Sequence, residues 1–185
     1  MKFEPLNIKG IYKITLDRFN DHRGWFVRNF CYERFTEVGI NFQIQQVNHS
    51  YTKKKGSFRG IHFQFGPFAE YKLVRCISGR VLDFAVDLRR NSDTLFQSVS
   101  VELSSENDQM ILIPPGVGHA FQTLEDNSAL IYLHSSIYNC DYEGGIKYND
   151  SKLKLKLPLE ITEISERDKS LPNIKSNFIG LEYEL

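Results

Sequence analysis

The sequence predicts an all-β protein, an antiparallel sandwich or barrel of which the jelly roll is a common form. Three observations predict it: the strongest hydrophobic period is two residues, polar turn clusters recur between the apolar runs, and helix signals are scarce. Successive strand side chains point to opposite faces, so a period of two is what a sheet with one buried face produces.

The elements follow in order. Residues 11–16 and 25–30 read as the first strands, and a short helix is expected at 31–38, stopped by Gly39. Strands at 42–52 and 57–65 come next. Residues 71–77 and 80–88 form a hairpin around Ser78-Gly79, a pair suited to a tight turn. Strands at 96–103, 110–113, 119–124 and 129–137 complete a meander. Its polar interruptions are Ser104-Ser105-Glu106-Asn107 and Glu125-Asp126-Asn127-Ser128. After Leu159 the pattern is less regular, with a helical turn expected at 164–169.

The chain has 185 residues, which suits one domain over 1–185, with 170–185 as a peripheral tail. Lys plus Arg number 23 and Asp plus Glu 23, so no bulk charge draws the protein to nucleic acid or an anionic membrane. An anionic ligand must be held by placed residues. Cys31, Cys76 and Cys140 are odd in number and widely spaced, which predicts free thiols in a reducing compartment and no structural metal. No basic segment followed by an apolar run opens the sequence, and no 18 apolar residues run together, so a soluble cytoplasmic protein is expected.

Strand alternation sorts the side chains into faces. On 80–88, Leu82, Phe84, Val86 and Leu88 form an apolar face, whereas Val81, Asp83, Ala85 and Asp87 form a mixed one. Lys72 shares a face with Val74 and Cys76, and His62 with Gly60 and Gln64. A lumen carrying Lys72, His62, Gln64 and Asp83 is too polar for a simple core and points to ligand binding or chemistry. His62 and His119 are both expected within strands. His22, His49 and His134 read as surface or packing residues.

Seven runs in order make the chain recognisable: Asp21-His22-Arg23-Gly24-Trp25-Phe26, Gln46-Val47-Asn48-His49-Ser50, Arg59-Gly60-Ile61-His62-Phe63-Gln64, Lys72-Leu73-Val74-Arg75, Asp83-Phe84-Ala85-Val86-Asp87-Leu88-Arg89, Pro115-Gly116-Val117-Gly118-His119 and Ser165-Glu166-Arg167-Asp168. Together they resemble the dTDP-4-dehydrorhamnose 3,5-epimerases, cupin-fold enzymes of deoxysugar biosynthesis. The resemblance covers about Asp21 to Asp168. It implies cofactor-free inversion beside the ketone of a nucleoside-diphosphate 4-keto-6-deoxy sugar.

By resemblance, His62 is the base that removes the proton next to the ketone, and Asp168 is the carboxylate that holds its imidazole. Tyr132 matches the acid that returns a proton from the opposite face. Lys72 matches the cation facing the enolate oxygen, with His119 close by. Arg23 and Arg59 match diphosphate contacts, Phe26 and Tyr138 line the nucleoside site, and Gln46, Asn48 and Glu143 supply polar contacts there. The resemblance also implies a homodimer whose N-terminal strands can reach the neighbouring subunit's site.

Two departures concern the base of the nucleotide. Arg28 stands where the family usually has Glu, and Val47 where it usually has an acidic residue. A carboxylate accepts the N3–H of thymine, which a guanidinium cannot do, whereas cytosine and guanine present acceptors that Arg can reach. The base is therefore left open between thymine, cytosine and guanine. Gly118, Ala120 and Leu133 also depart from the family pattern, in the pocket wall.

Three other readings compete. Pro114-x-Gly116-x-x-His119 resembles the second metal motif of metal-dependent cupins, but His62-Phe63-Gln64 offers only one imidazole where the first motif has two, so no metal is expected. A non-catalytic sugar-nucleotide binder would have no need of His62, Tyr132 and Lys72 together. Epimerisation at carbon 3 alone, or carbon 5 alone, would use the same base and acid.

Overall fold

The computed structural model describes residues 1–182. Two antiparallel sheets face each other without closing into a barrel. One is six-stranded, ordered β1 (Lys2–Pro5), β2 (Tyr12–Thr15), β10 (Gln109–Ile113), β7 (Lys72–Ser78), β12 (Ser128–His134) and β5 (Gln46–Thr52). The other is five-stranded, ordered β13 (Glu143–Gly145), β6 (Phe58–Gln64), β11 (Val117–Thr123), β8 (Arg80–Asp87) and β9 (Ser98–Ser104). A separate hairpin pairs β3 (Arg18–Asp21) with β4 (Gly24–Val27).

The expected alternation decides which sheet face meets what. Val81 and Ala85 of β8 turn inward and join Val74 and Cys76 of β7 in the core between the sheets. Phe84, Val86 and Leu88 turn outward, where Ile146, Leu153 and the partly buried Ile164, Ile174 and Leu181 of the C-terminal segment cover them. Both faces of β8 are thus buried, and the less regular tail is what makes that possible. Burying each large apolar side chain stabilises by roughly 1.5–3 kcal/mol, so a tail that covers several contributes substantially to the fold.

The outer face of the six-stranded sheet is covered by the N-terminal third. Helix α1 (Tyr32–Glu37) buries Phe35, whose ring centroid lies 5.0 Å from Phe30 and 5.7 Å from Phe42. Gly39 follows it with a φ of +79°, which glycine tolerates without strain. The strand expected at 42–52 begins only at Gln46, because Phe42 is drawn into this aromatic cluster. The strand at 25–30 likewise ends at Val27, and Phe30 joins the same cluster.

The hairpin around Ser78-Gly79 is present, with Gly79 at a φ of +69°. The strand expected at 96–103 starts at Ser98, since Phe96 itself has a φ of +68°. The strand expected at 129–137 ends at His134. Strands β1, β3 and β13 lack a strong period-two signal, being three or four residues long. The turn expected at 164–169 is helix α2 (Glu166–Lys169), and Ser165 caps it by accepting the Asp168 N–H at 3.0 Å. In the tail after α2, Leu181 bridges to Arg89, and residues 183–185 of the expected 170–185 tail lie outside the described residues.

Candidate active site

The site forms between the sheets, where β6, β11 and β8 on one side face β7, β12 and β5 on the other. A register shift between β11 and β6 sets His119 opposite His62 and Ala120 opposite Gly60. Gly60 has a φ of +123°, and a Cβ there would lie 2.5 Å from the Ala120 Cβ, so only glycine fits. That close approach puts the two histidines side by side.

Each histidine has its own carboxylate. His62 Nε2 lies 2.8 Å from Asp168 Oδ1, and the Gly60 N–H donates to Asp168 Oδ2 at 3.0 Å. Asp168 is 3% exposed. Burial pushes its carboxyl up, but the bonds from His62 and the Gly60 N–H outweigh that and hold it below the ordinary range. The ionised carboxylate can only accept, so His62 Nε2 carries the proton and Nδ1 keeps a free lone pair. His119 Nε2 lies 2.9 Å and 3.0 Å from the two Asp83 oxygens, and both residues are buried. Burial pushes the Asp83 carboxyl up and the His119 imidazole down, and their mutual bond opposes both shifts.

Tyr132 stands on the opposite sheet, its hydroxyl 2.8 Å from Ser50 Oγ and its ring edge-on to that of His119, with the ring centroids 6.1 Å apart. Burial pushes its phenol well above the usual range, so it stays protonated. The Lys72 side chain is 14% exposed, and Nζ lies 3.8 Å from Glu70 Oε1. A cavity of about 160 Å³ joins His62 and Lys72 to Gln46, Asn48, Tyr138 and Glu143. Tyr138 donates its hydroxyl to Glu143 Oε2 at 2.9 Å, and Arg167 pairs with Glu143 at 2.5 Å. For Glu143, burial pushes the carboxyl up, while those two partners pull it below the ordinary range.

A second, more open cavity of about 970 Å³ also reaches His62, between β5, β6 and the segment around α2. Arg59 lines it, held by Thr52 Oγ1 and the Tyr51 carbonyl, each at 3.1 Å.

The hairpin residues stand apart from these cavities. Arg23 is exposed and pairs with Asp21 at 2.7 Å, and Phe26 is 62% exposed. Arg28 lines a separate cavity with Met1, Asp17, Phe19 and Arg34. Within one chain, therefore, His62, Lys72, His119, Tyr132, Asp168, Gln46, Asn48, Tyr138 and Glu143 gather at one site with Arg59 beside it, and Arg23, Phe26 and Arg28 do not.

Two residues at the site had no role in the sequence reading. Of the surface and packing roles open to His134, the structure shows the packed one, stacked on Tyr132, and the buried ring also bonds Glu70 Oε2 at 2.8 Å. The available signal was its spacing, since Tyr132 and His134 share a strand face. Glu70 lies in a loop, where no periodicity reports burial. Asp83, placed in the lumen by alternation, acquires a partner in His119. Gln64 accepts the Asn139 N–H and donates to the Phe68 and Ile137 carbonyls, which ties the Tyr138 loop to β6.

The model of the dTDP-4-dehydrorhamnose 3,5-epimerase family matches residues 5–176. The chain belongs to this family. The dTDP-4-dehydrorhamnose 3,5-epimerase of Sinorhizobium fredii is 34% identical over 184 residues, covering 99% of this chain and 94% of its own length. Among solved structures, the dTDP-4-dehydrorhamnose 3,5-epimerase of Elizabethkingia anophelis superposes with a TM-score of 0.91 at 36% identity, covering 96% of this chain and 98% of that one. The dTDP-6-deoxy-D-glucose-3,5-epimerase of Legionella pneumophila, in complex with dTDP-4-keto-L-rhamnose, has a TM-score of 0.91 at 31% identity, covering 99% of both chains. The fold is accordingly the cupin-type jelly roll expected from the sequence, here as two open sheets, and the family is one of carbohydrate isomerases. No helix among the described residues is long and apolar enough to cross a membrane.

Proposed function

We propose that this chain inverts carbons 3 and 5 of a dTDP-linked 4-keto-6-deoxy sugar by way of enolates, without a cofactor. The observation that carries this reading is the His62–Asp168 pair beside His119, with Tyr132 on the opposite sheet and its ring edge-on to that of His119. The hydrogens at carbons 3 and 5 flank the ketone at carbon 4, so loss of either as a proton gives an enolate. His62 takes that proton at Nδ1, while Asp168 holds the imidazole through Nε2–H and stabilises the imidazolium formed. Tyr132 then gives its hydroxyl proton to the same carbon from the opposite face, which inverts the centre. Solvent reprotonates the phenolate, and the imidazolium releases its proton.

Negative charge grows on the ketone oxygen as the C–H bond breaks. Lys72, with His119 adjacent, supplies preorganised donors, each of the kind that contributes a factor of about 10² to 10³ in rate. Arg59 serves the diphosphate, and Gln46, Asn48, Tyr138 and Glu143 the nucleoside.

The exposed hairpin suits a homodimer. Phe19, Trp25 and Phe26 are 64%, 54% and 62% exposed, more apolar surface than a free hairpin usually presents. Seated on a second copy, it would carry Arg23 and Phe26 to that copy's nucleotide, as the family resemblance implies. Light scattering that gave a monomer would overturn this part. The three free thiols suit a reducing cytoplasm.

A second reading concerns the base. Arg28 and Val47 stand where the resemblance has acidic residues, and the acceptor edges of cytosine or guanine would suit Arg28, although in its own chain it lies outside the cavities around His62. Calorimetry with the three diphosphates separates the cases, and clear preference for dTDP removes the second reading. The function itself is tested by incubating the enzyme with 4-keto-6-deoxy nucleotide sugars in deuterium oxide and following carbons 3 and 5 by NMR. Label at both positions is expected, label at one restricts the reaction to that carbon, and none with any substrate overturns it.

A further inference from the structure

The cavity behind His62 holds an ionisable pair that none of the roles above uses. Glu70, just before β7, and His134, the last residue of β12, are both buried. His134 stands opposite Lys72 in the β12–β7 register. Glu70 gives one oxygen to each neighbour: Oε2 is 2.8 Å from His134 Nδ1, and Oε1 is 3.8 Å from Lys72 Nζ.

The pair ends a chain of hydrogen bonds whose direction is determined. The Tyr138 backbone N–H donates to Gln46 Oε1 at 2.9 Å, and a backbone N–H has no alternative role. Gln46 Nε2 therefore faces onward and donates to Asn48 Oδ1 at 3.0 Å. Asn48 Nδ2 then points at His134 Nε2, 3.3 Å away, and an amide nitrogen can only donate. The ring proton of His134 is thus on Nδ1, from which it donates to Glu70. Every link joins one donor to one acceptor.

Lys72 Nζ makes no hydrogen bond among the described residues, and its nearest counter-charge is Glu70. A flexible ammonium on a four-carbon stem has no fixed direction of its own, so a placed opposite charge is what directs it. A glutamate free to move would close on it into a contact ion pair and occupy its protons. The His134 bond holds the carboxylate at 3.8 Å, beyond hydrogen-bond distance.

We propose that Glu70, held in place by His134, is a positioning residue for Lys72: it supplies the counter-charge that directs Nζ, and the His134 bond keeps it from taking the protons that Nζ presents to the substrate oxygen. This rests on the reading of Lys72 as the cation facing the enolate. A purely structural pair would serve folding and leave kcat alone once the protein had folded.

The experiment measures turnover, KM and dTDP affinity in four variants. Glu70→Gln keeps the shape and the acceptor for His134 but removes the charge. His134→Leu frees Glu70 to close on Lys72. Each is expected to lower kcat at least tenfold while dTDP affinity stays within twofold. His134→Asn places an amide N–H near the position of Nδ1–H and is expected to recover most of the loss.

The double variant Glu70→Gln, His134→Leu is expected to be no worse than Glu70→Gln, because with the charge gone nothing remains for His134 to restrain. Losses that multiply, or single variants within twofold of wild type, would overturn the proposal while leaving the function intact. No label in the wild type with any 4-keto sugar would overturn the function and this inference together.

Discussion

Replacing Asp168 by Asn tests the catalytic reading most directly, because the change is isosteric and its consequence follows from two hydrogen bonds. Asp168 accepts from the Gly60 N–H at 3.0 Å and from His62 Nε2 at 2.8 Å. The backbone N–H requires an oxygen, so the asparagine NH2 must face His62. An amide nitrogen only donates, so Nε2 becomes an acceptor and the ring proton moves to Nδ1, the nitrogen proposed to take the substrate proton. The base is blocked by its own tautomer, and its charged form loses its counter-ion. A comparable wrong-tautomer change in the Ser-His-Asp triad of a serine protease costs about 10⁴ in kcat. Here a loss of about 10³ to 10⁴ is expected, equivalent to about 4–5.5 kcal/mol at 1.36 kcal/mol per decade. Deuterium incorporation at carbons 3 and 5 by NMR gives the rate, and calorimetry with dTDP is expected to show affinity within twofold of wild type. A rate within tenfold of wild type would refute the assignment.

The same carboxylate has a stability signature. Its folded pKa is depressed, so its contribution is fully present above the unfolded value of about 3.8 and is lost as the pH falls through the folded value. The difference in unfolding midpoint between wild type and Asp168→Asn should hold through neutral pH and shrink only below about 3.8.

Other substitutions separate the remaining roles. Tyr132→Phe is expected to keep label exchange from the face that His62 serves while inversion falls at least a hundredfold; equal losses in both, by NMR, would remove Tyr132 as the acid. Lys72→Met should lower kcat by about 10² to 10³ with dTDP affinity unchanged, checked by steady-state kinetics and calorimetry. Gly60→Ala should destabilise by about 3 kcal/mol or more in urea titrations, since its Cβ would meet Ala120 at 2.5 Å at a φ that L residues avoid. Phe35→Ala empties the centre of the aromatic cluster under β2 and β10, and should cost about 3–5 kcal/mol while leaving kcat in the folded enzyme unchanged.

Much of the frame was legible in the residues. The alternation on β8 separated an inward mixed face from an outward apolar one, and both assignments describe the folded molecule. The Ser78-Gly79 turn was legible because its chemistry is local, and so was α2, where Ser165 stands at the cap. Strand ends were less so: Phe30 and Phe42 left their expected strands for the Phe35 cluster, since burial of three rings outweighs the weak preference of one residue for extended backbone. Glu70 was not legible at all, because a loop position carries no period.

The sequence by itself determined the strand faces, the family and the set of chemical groups available, because side-chain period and residue type are local properties. Only the tertiary structure decided which groups meet. Asp168 reaches His62 across 106 residues because α2 is packed against β6. His134 becomes part of the site because β12 lies between β7 and β5, which sets it opposite Lys72 on one side and Gln46 on the other. The hairpin that carries Arg23 and Phe26 stays outside the cavities around its own chain's His62 for the same reason: a strand's neighbours are set by sheet order, and sheet order comes from burying distant faces together.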